Sequence, residues 1–351
     1  MEENFTPERA DMYGARTSHK KYLAKKKRYH DKQSSDRVEG MPSEAFLSPG
    51  GVSDWRVAEI RQGTSHRTLE CISMASDAVK TAAVTVGSPL FDQLVIGDYV
   101  KIDGAEVGGI VRRKNLLARY HGDSNRFSLN ARNLQPIAAN LDAIVIVASA
   151  KDPAFQPGFI DRYMVLAEQS GIPPIICVNK SDLTQISDPI LKWYQDELSV
   201  PVVHTSAVSR QGIDDLMSLI RGKTVVFVGK SGSGKSSLTN LLLGEEAIRT
   251  SAVSEKGGQG RHTTTSSKMH TWDADSHVID TPGIRALEFF EIAPDEVRLY
   301  FPEFAAYAPQ CKYRDCRHHP ETECAVKKAV EEGKIAKLRY HTYLRLLDEA
   351  T

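Results

Sequence analysis

Hydrophobic positions divide the chain into stretches of different period. Between residues 54 and about 118, short runs of apolar residues recur at 56–60, 69–72, 82–86, 99–102 and 109–111, with glycines and polar turns between them. That spacing, close to the ~8–12 residues of small all-β domains, predicts a five-stranded barrel of the OB type. An SH3-like barrel, or one with a purely structural role, meets the same spacing. From about 137 to 290 the pattern changes to alternating strand and helix. Strands are predicted at 141–147, 174–178, 200–204, 223–228 and ending at 277–279. Helices are predicted at 159–169, 212–220 and 235–243. Continuous apolar strands followed by amphipathic helices indicate an α/β domain with a mostly parallel sheet. After 291 come a cysteine cluster and a helical tail rich in lysine and arginine.

Composition narrows this picture. Apolar residues make up 41% and charged residues 26% of the 351, the balance of a soluble globular protein. The longest apolar run, 144–150, is far too short to cross a bilayer, and the N-terminus has no apolar leader segment. Five cysteines are too few for a disulfide framework, so a reducing, cytoplasmic setting is expected. Lysine plus arginine equal aspartate plus glutamate at 45 each, so partners are not legible from net charge. The distribution is more informative. Residues 16–32 hold Arg16, Lys20, Lys21, Lys25, Lys26, Lys27, Arg28 and Lys32 against a single acid, Asp31. Such a segment cannot bury enough apolar surface to fold alone, and is read either as a solvated tail or as an arm for polyanions.

Four motifs carry the chemistry. Gly229, Lys230, Ser231, Gly232, Ser233, Gly234, Lys235 and Ser236 form G-x-x-x-x-G-K-S after a predicted strand and at the start of a predicted helix. Backbone N–H groups and the helix N-terminus there suit phosphates. Lys235 is assigned to the β- and γ-phosphates and the Ser236 hydroxyl to Mg²⁺, with Ser237 beside them. Asn179, Lys180, Ser181 and Asp182 follow a buried strand and select the base. A carboxylate at Asp182 accepts the N1–H and exocyclic amine of guanine, which adenine does not offer, and the Lys180 stem covers the base plane. This argues against a P-loop kinase. Thr205, Ser206 and Ala207 follow the 200–204 strand and are assigned to guanine O6. Asp280, Thr281, Pro282 and Gly283 follow the last strand, Asp280 being assigned to Mg²⁺ and the Gly283 N–H to the γ-phosphate.

The loop Gly257, Gly258, Gln259, Gly260, Arg261, His262, Thr263, Thr264 and Thr265 has the composition of a switch closing a threonine hydroxyl onto Mg²⁺. Thr264 is favoured among the three. The position after D-x-x-G, where Ras-like enzymes carry a water-orienting glutamine, is Ile284, which cannot hydrogen-bond. His262 is the internal candidate for that work, with rRNA contact or loop shaping as its alternatives. Cys311, Cys316, His318 and Cys324, spaced C-x₄-C-x-H-x₅-C, are a donor set for tetrahedral Zn²⁺, with His319 a competing neighbour. Lys312, Arg314, Arg317, Lys327, Lys328, Lys334, Lys337 and Arg339 surround the cluster and are read as an RNA-facing surface, or as a solvated helical face.

The motif order is unusual, because N-K-S-D and T-S-A precede the phosphate loop and D-T-P-G ends the domain. A domain with nearby termini tolerates this rotation. Barrel, N-K-S-D, T-S-A, G-K-S-G-S-G-K-S, G-R-H-T-T-T, D-T-P-G and the zinc spacing together closely resemble the RsgA family of circularly permuted, ribosome small-subunit-dependent GTPases, from about residue 50 to the end. Composition gives a basic tail, expected to be disordered, at 1–50. The resemblance implies an OB-fold barrel at 51–120, a circularly permuted P-loop GTPase domain at 121–290 and an α-helical zinc-binding domain at 291–351. It implies a protein that binds the 30S subunit and its 16S rRNA late in maturation, and hydrolyses GTP to GDP with stimulation by the subunit. One structural zinc, Mg²⁺ with the nucleotide, a monomeric state and no membrane association are expected. The alternative is a nucleotide-sensing RNA-binding factor whose turnover is incidental.

Overall fold

The computed structural model describes residues 55–62, 66–76, 78–88, 90–120, 134–244, 267–273, 275–280, 292 and 294–350. The basic tail, the loop carrying His262 and Thr264, and Gly283 lie outside the described residues. Two compact units emerge. One contains the barrel and the α/β domain, up to residue 191 and again from 200 to 280. The other contains 192–199 and the chain from 292 to 350.

In the first unit, β1 (Trp55–Gln62), β2 (His66–Ser73), β3 (Val79–Thr85), β4 (Tyr99–Asp103) and β5 (Glu106–Ile110) fall on the five predicted runs. They are ordered β1-β2-β3-β5-β4, and a β1–β4 pairing closes them into a barrel. Val57, Leu69, Cys71, Ala82, Val84, Val100 and Ile110 are buried. Alternate residues of β2 and β3 turn inward, as a half-buried strand requires.

The α/β part contains β6 (Leu116–Tyr120), β7 (Leu134–Ala139), β8 (Ala143–Ser149), α1 (Pro157–Ser170), β9 (Pro174–Asn179), β10 (Val202–His204), α3 (Ile213–Ile220), β11 (Thr224–Val228), α4 (Lys235–Leu243), β12 (Ser267–Asp273) and β13 (Ser276–Asp280), with α2 (Pro189–Leu198) starting in this unit and continuing into residues 192–199 of the second. Every residue of β8 and β11 is buried, as expected of central strands covered on both faces. The sheet runs β10-β9-β8-β11-β13 in parallel, and β12 joins it antiparallel to β13. Val145, Val147, Val225, Phe227 and Val278 pack with Ile213, Leu216, Ile220, Leu238 and Leu242. Helix α1 starts at Pro157, which needs no N–H partner there, and ends at Gly171 in the left-handed conformation. The β6–β7 hairpin joins the two sides of the expected boundary between barrel and GTPase domain.

Barrel and α/β sheet are continuous. β1 pairs antiparallel with β12, Glu59 opposite Lys268 and Ile60 opposite Ser267. The pairing with β2 is interrupted by a bulge between Val57 and Glu59, where the outer edge of β1 changes partner from β4 to β12. A bulge bends a strand and sharpens its twist, which is what serving both ladders demands. Buried Arg56 reinforces the junction, donating to Thr224 Oγ1 at 2.8 Å and to the Asn140 carbonyl at 3.2 Å.

The second unit is short 3₁₀ turns at Val297–Tyr300, Pro302–Ala306 and Ala308–Gln310, then α5 (Ala325–Glu331) and α6 (Lys337–Ala350). Its core is aromatic. Phe301 and Phe304 stack with centroids 5.3 Å apart, and Tyr343 meets them edge-on at 5.3 and 5.0 Å. Arg339, expected on an RNA-facing surface, is instead fully buried. It lies over the Phe301 ring and pairs with Glu303 through contacts of 2.7 and 3.1 Å. Desolvating a guanidinium is tolerable only with such a partner, which sequence spacing does not reveal.

Candidate nucleotide site and metal centre

The parallel strands β8, β9, β10, β11 and β13 all end at the same edge of the sheet, which brings the separated motifs together. Asn179, 1% exposed at the end of β9, is the knot. Its Nδ2 donates to the Ser233 carbonyl at 3.0 Å, and its Oδ1 accepts from Thr205 Oγ1 and the Ala207 N–H, each at 3.3 Å. One amide thereby joins N-K-S-D, T-S-A and the phosphate loop. Lys180 takes a left-handed φ of 62° and donates from Nζ to the Asp152 carbonyl. Ser181 binds the Thr205 carbonyl through both N–H and hydroxyl, at 3.0 and 2.9 Å. Asp182 is exposed, while Thr205 and Ser206 are fully buried, with the Ser206 N–H on the Gln211 carbonyl at 3.0 Å.

The phosphate loop connects β11 to α4. Gly234 has φ +94°, and a Cβ there would lie 2.2 Å from Asn179 Nδ2, so the approach of the two motifs requires glycine. At Gly229 a Cβ would lie 2.3 Å from the Val147 carbonyl oxygen. Lys235 Nζ donates to the carbonyls of Gly229 and Lys230, both at 2.7 Å, so its ammonium is folded across the loop. Ser231 and Ser237 are exposed, Ser236 is half-buried, and Gly232 faces Pro153. Lys230 reaches the other way, to Gln156 Oε1 and over the Phe159 ring at 5.1 Å. Sequence reasoning misses the parts that Asp152, Gln156 and Phe159 play here. No motif marks them, and only the fold lays the segment after β8 beside the phosphate loop. Asp280 is half-buried at the end of β13, next to β11 in the sheet. Ser236 and Asp280 offer the hard oxygen donors that Mg²⁺ prefers.

The candidate metal centre lies in the second unit. One ligand atom from each of Cys311, Cys316, His318 and Cys324 lies within 4.8 Å of all the others. Cys311 Sγ is 3.8 Å from Cys324 Sγ, and His318 Nδ1 is 3.6 Å from Cys311 Sγ and 3.4 Å from Cys324 Sγ. A tetrahedron with Zn–S of ~2.3 Å and Zn–N of ~2.0 Å has edges of about 3.8 Å (S–S) and 3.5 Å (S–N), so Cys311, His318 and Cys324 already stand at coordination spacing. Burial, helped by the Arg298 charge, pushes the His318 imidazole down to about 4, leaving it neutral as a metal ligand must be. Burial also pushes the Cys316 thiol up to about 12, and the neighbouring sulfurs add to this against the His318 N–H. A metal must displace these protons, so its affinity for the cluster rises with pH. His319 is exposed, and its N–H binds Glu321 at 3.0 Å. Lys312, Arg314, Arg317, Lys328, Lys334 and Lys337 are exposed, and Lys327 is half-buried.

An N-K-x-D strand end placed before a phosphate loop on one parallel sheet defines a circularly permuted GTPase, a GTP-hydrolysing enzyme. The sequence model of the RsgA GTPase family matches residues 110–290. The relative named small ribosomal subunit biogenesis GTPase RsgA in Chlorobaculum parvum is 44% identical over 294 residues, covering 83% of this chain and 93% of that protein. The protein of the same name in Thermotoga maritima is 36% identical over 265 residues, covering 73% and 84%. Among solved structures, YjeQ from Thermotoga maritima matches with a TM-score of 0.65 and 28% identity over 85% of this chain and 99% of its own. YloQ, described as a circularly permuted GTPase, matches with a TM-score of 0.60 and 26% identity over 87% and 98%. The chain belongs to the RsgA GTPase family.

Proposed function

We propose that this protein is a GTPase of small ribosomal subunit biogenesis, which engages the 30S particle and its 16S rRNA in the GTP state and leaves after hydrolysis. The observation that carries the reading is the Asn179 knot, which holds a guanine-reading segment against a phosphate loop in the permuted order of this family. Relatives of 36–44% identity bear the small-subunit biogenesis name.

In this reading Asp182 holds the guanine edge and Lys180 covers its face. Ser206 and Ala207 line O6, and the N–H groups of 229–236 surround the phosphates. Lys235 exchanges its two loop carbonyls for phosphate oxygens when nucleotide arrives, so the loop is held ready for a cation–phosphate contact. Mg²⁺ on Ser236, Thr264 and Asp280 supplies charge neutralisation at the phosphates, and the Gly283 N–H reads the γ-phosphate. Zinc on Cys311, Cys316, His318 and Cys324 is structural, since four protein ligands leave no open position. A monomer working in the cytoplasm fits this role, and no helix among the described residues is long and apolar enough to cross a membrane.

The test is GTP turnover with and without purified small subunits, on the parent chain and on His262→Ala. Stimulated turnover should fall by ~10²–10⁴-fold in the variant, with nucleotide and subunit binding kept. Turnover in the parent that ignores the subunit would refute the assembly role. Normal stimulated turnover in the variant would remove His262 from the reaction and assign water activation to the particle.

A further inference from the structure

The ligand loop of the metal centre is held through its backbone by side chains outside the loop. Arg298 Nη1 donates to the Cys316 carbonyl at 2.8 Å. The Tyr343 hydroxyl donates to the Arg317 carbonyl, and the Tyr340 hydroxyl to the His318 carbonyl at 2.7 Å. Three consecutive carbonyls are thus fixed by three side chains from outside the loop, one on the 297–300 turn and two on α6. The middle side chain, Arg317, is exposed, whereas Cys316 and His318 on either side are buried at 2% and 1%. His318 has φ +59°, a left-handed conformation that non-glycine residues rarely adopt unless something holds it. Its Nδ1 faces the cysteines. Its Nε2 is buried without a hydrogen-bond partner, its ring meeting Phe304 edge-on at 5.6 Å, so no bond to Nε2 fixes the ring.

We propose that Arg298, Tyr340 and Tyr343 are positioning residues of the metal centre: by holding the carbonyls of 316–318 they keep Cys316 and His318 within the donor cluster before the metal arrives. This rests on reading the cluster as a zinc site. Ligating histidines usually owe their orientation to a partner on the second ring nitrogen. Here that partner is missing among the described residues, and the orientation comes through the backbone instead. Cys324 is fixed independently as the N-cap of α5, accepting the Lys327 N–H at 3.5 Å. The backbones of Cys316 and His318 and the sulfur of Cys324 are therefore held without metal. This also couples α6 to the site, because loosening the helix frees two of the carbonyls.

The experiment measures zinc affinity of the full chain by competition with a colorimetric chelator, together with the ligand-field spectrum of the Co²⁺-substituted protein and the helix content. Tyr340→Phe, Tyr343→Phe, their double variant, Arg298→Met and Arg298→Lys are compared with the parent. Loss of the hydroxyls should weaken zinc binding by ~10–100-fold and perturb the tetrahedral Co²⁺ bands, with helix content and GTP affinity unchanged. Arg298→Lys, which keeps a cationic donor, should recover part of what Arg298→Met loses. Should the double variant fail to fold, Tyr340→Phe, half-buried and missing only an oxygen, carries the test. Zinc affinity and Co²⁺ bands equal to the parent's in folded Tyr→Phe variants would overturn the proposal. A parent chain that binds no zinc would overturn the reading beneath it, a result separable from the first.

Discussion

The nucleotide edge and the metal centre are built on opposite plans. At the nucleotide edge the described groups come from segments between residues 149 and 280, and only the parallel sheet makes them neighbours. At the metal centre the four ligands lie within residues 311–324, and side chains around them hold the loop. The first site is topological. It depends on where strands end rather than on the order in which the chain visits them, which is why N-K-S-D can precede the phosphate loop at no cost to geometry. The second is local, and depends on a small aromatic core and one buried ion pair.

The contrast predicts separable failures. The largest effect belongs to Asp182→Asn. Losing a charged acceptor of two hydrogen bonds should weaken GTP by ~10²–10⁴-fold and shift preference to xanthosine triphosphate, with the fold and zinc content intact. Titration with both fluorescent nucleotides checks this, and equal GTP affinity would end the base-reading assignment. Next is Glu303→Ala, which removes the carboxylate paired with the fully buried Arg339. The metal-binding unit should lose about 3–5 kcal/mol and release zinc more readily, while GTP binding stays within twofold. A common unfolding transition for both sites would show that the two plans are not independent. Gly234→Ala is smaller. Its Cβ must displace Asn179, and the left-handed backbone adds strain, together ~1–3 kcal/mol with weaker GTP binding. Gly244→Ala, also left-handed but with open space around it, isolates the strain term, so equal melting shifts and GTP affinities for the pair would contradict the knot at Asn179. Smallest is deletion of residues 1–40, expected to lower small-subunit affinity a few-fold in low salt and leave GTP hydrolysis intact. Pelleting indifferent to both salt and deletion would dismiss the polyanion arm.

Much of this architecture is legible in the amino-acid sequence. The five barrel strands announce themselves through alternation and the parallel strands through unbroken apolar runs, while motif spacing marks the candidate nucleotide and metal residues. What escapes does so for physical reasons. β12 reads Ser-Lys-Met-His-Thr-Trp-Asp, with Met269 its buried residue, and it is a strand because β1 and β13 pair with it on both sides. Helix α2 opens on Asp188 and Pro189, the Asp188 side chain accepting the Ile190 N–H, but lacks a glycine stop at its other end. Arg339 looks like one more surface cation because its partner Glu303 sits far back in the chain. The role of Asn179 as a tie between three motifs is not readable from any one of them.

The bulge in β1 has a consequence for how the chain is made. Trp55, Arg56 and their barrel partners are all synthesised within the first ~110 residues, so the barrel can close early. Glu59 and Ile60 cannot complete their ladder until Lys268 and Ser267 exist, roughly 200 residues later. At ~5–20 residues per second the nascent protein carries an open strand edge for ~10–40 s. Such an edge is a template for the wrong partner, and charges on it are the usual protection. Glu59 and Arg61, paired to each other at 2.7 Å on either side of Ile60, place charge on that edge until its proper strand arrives.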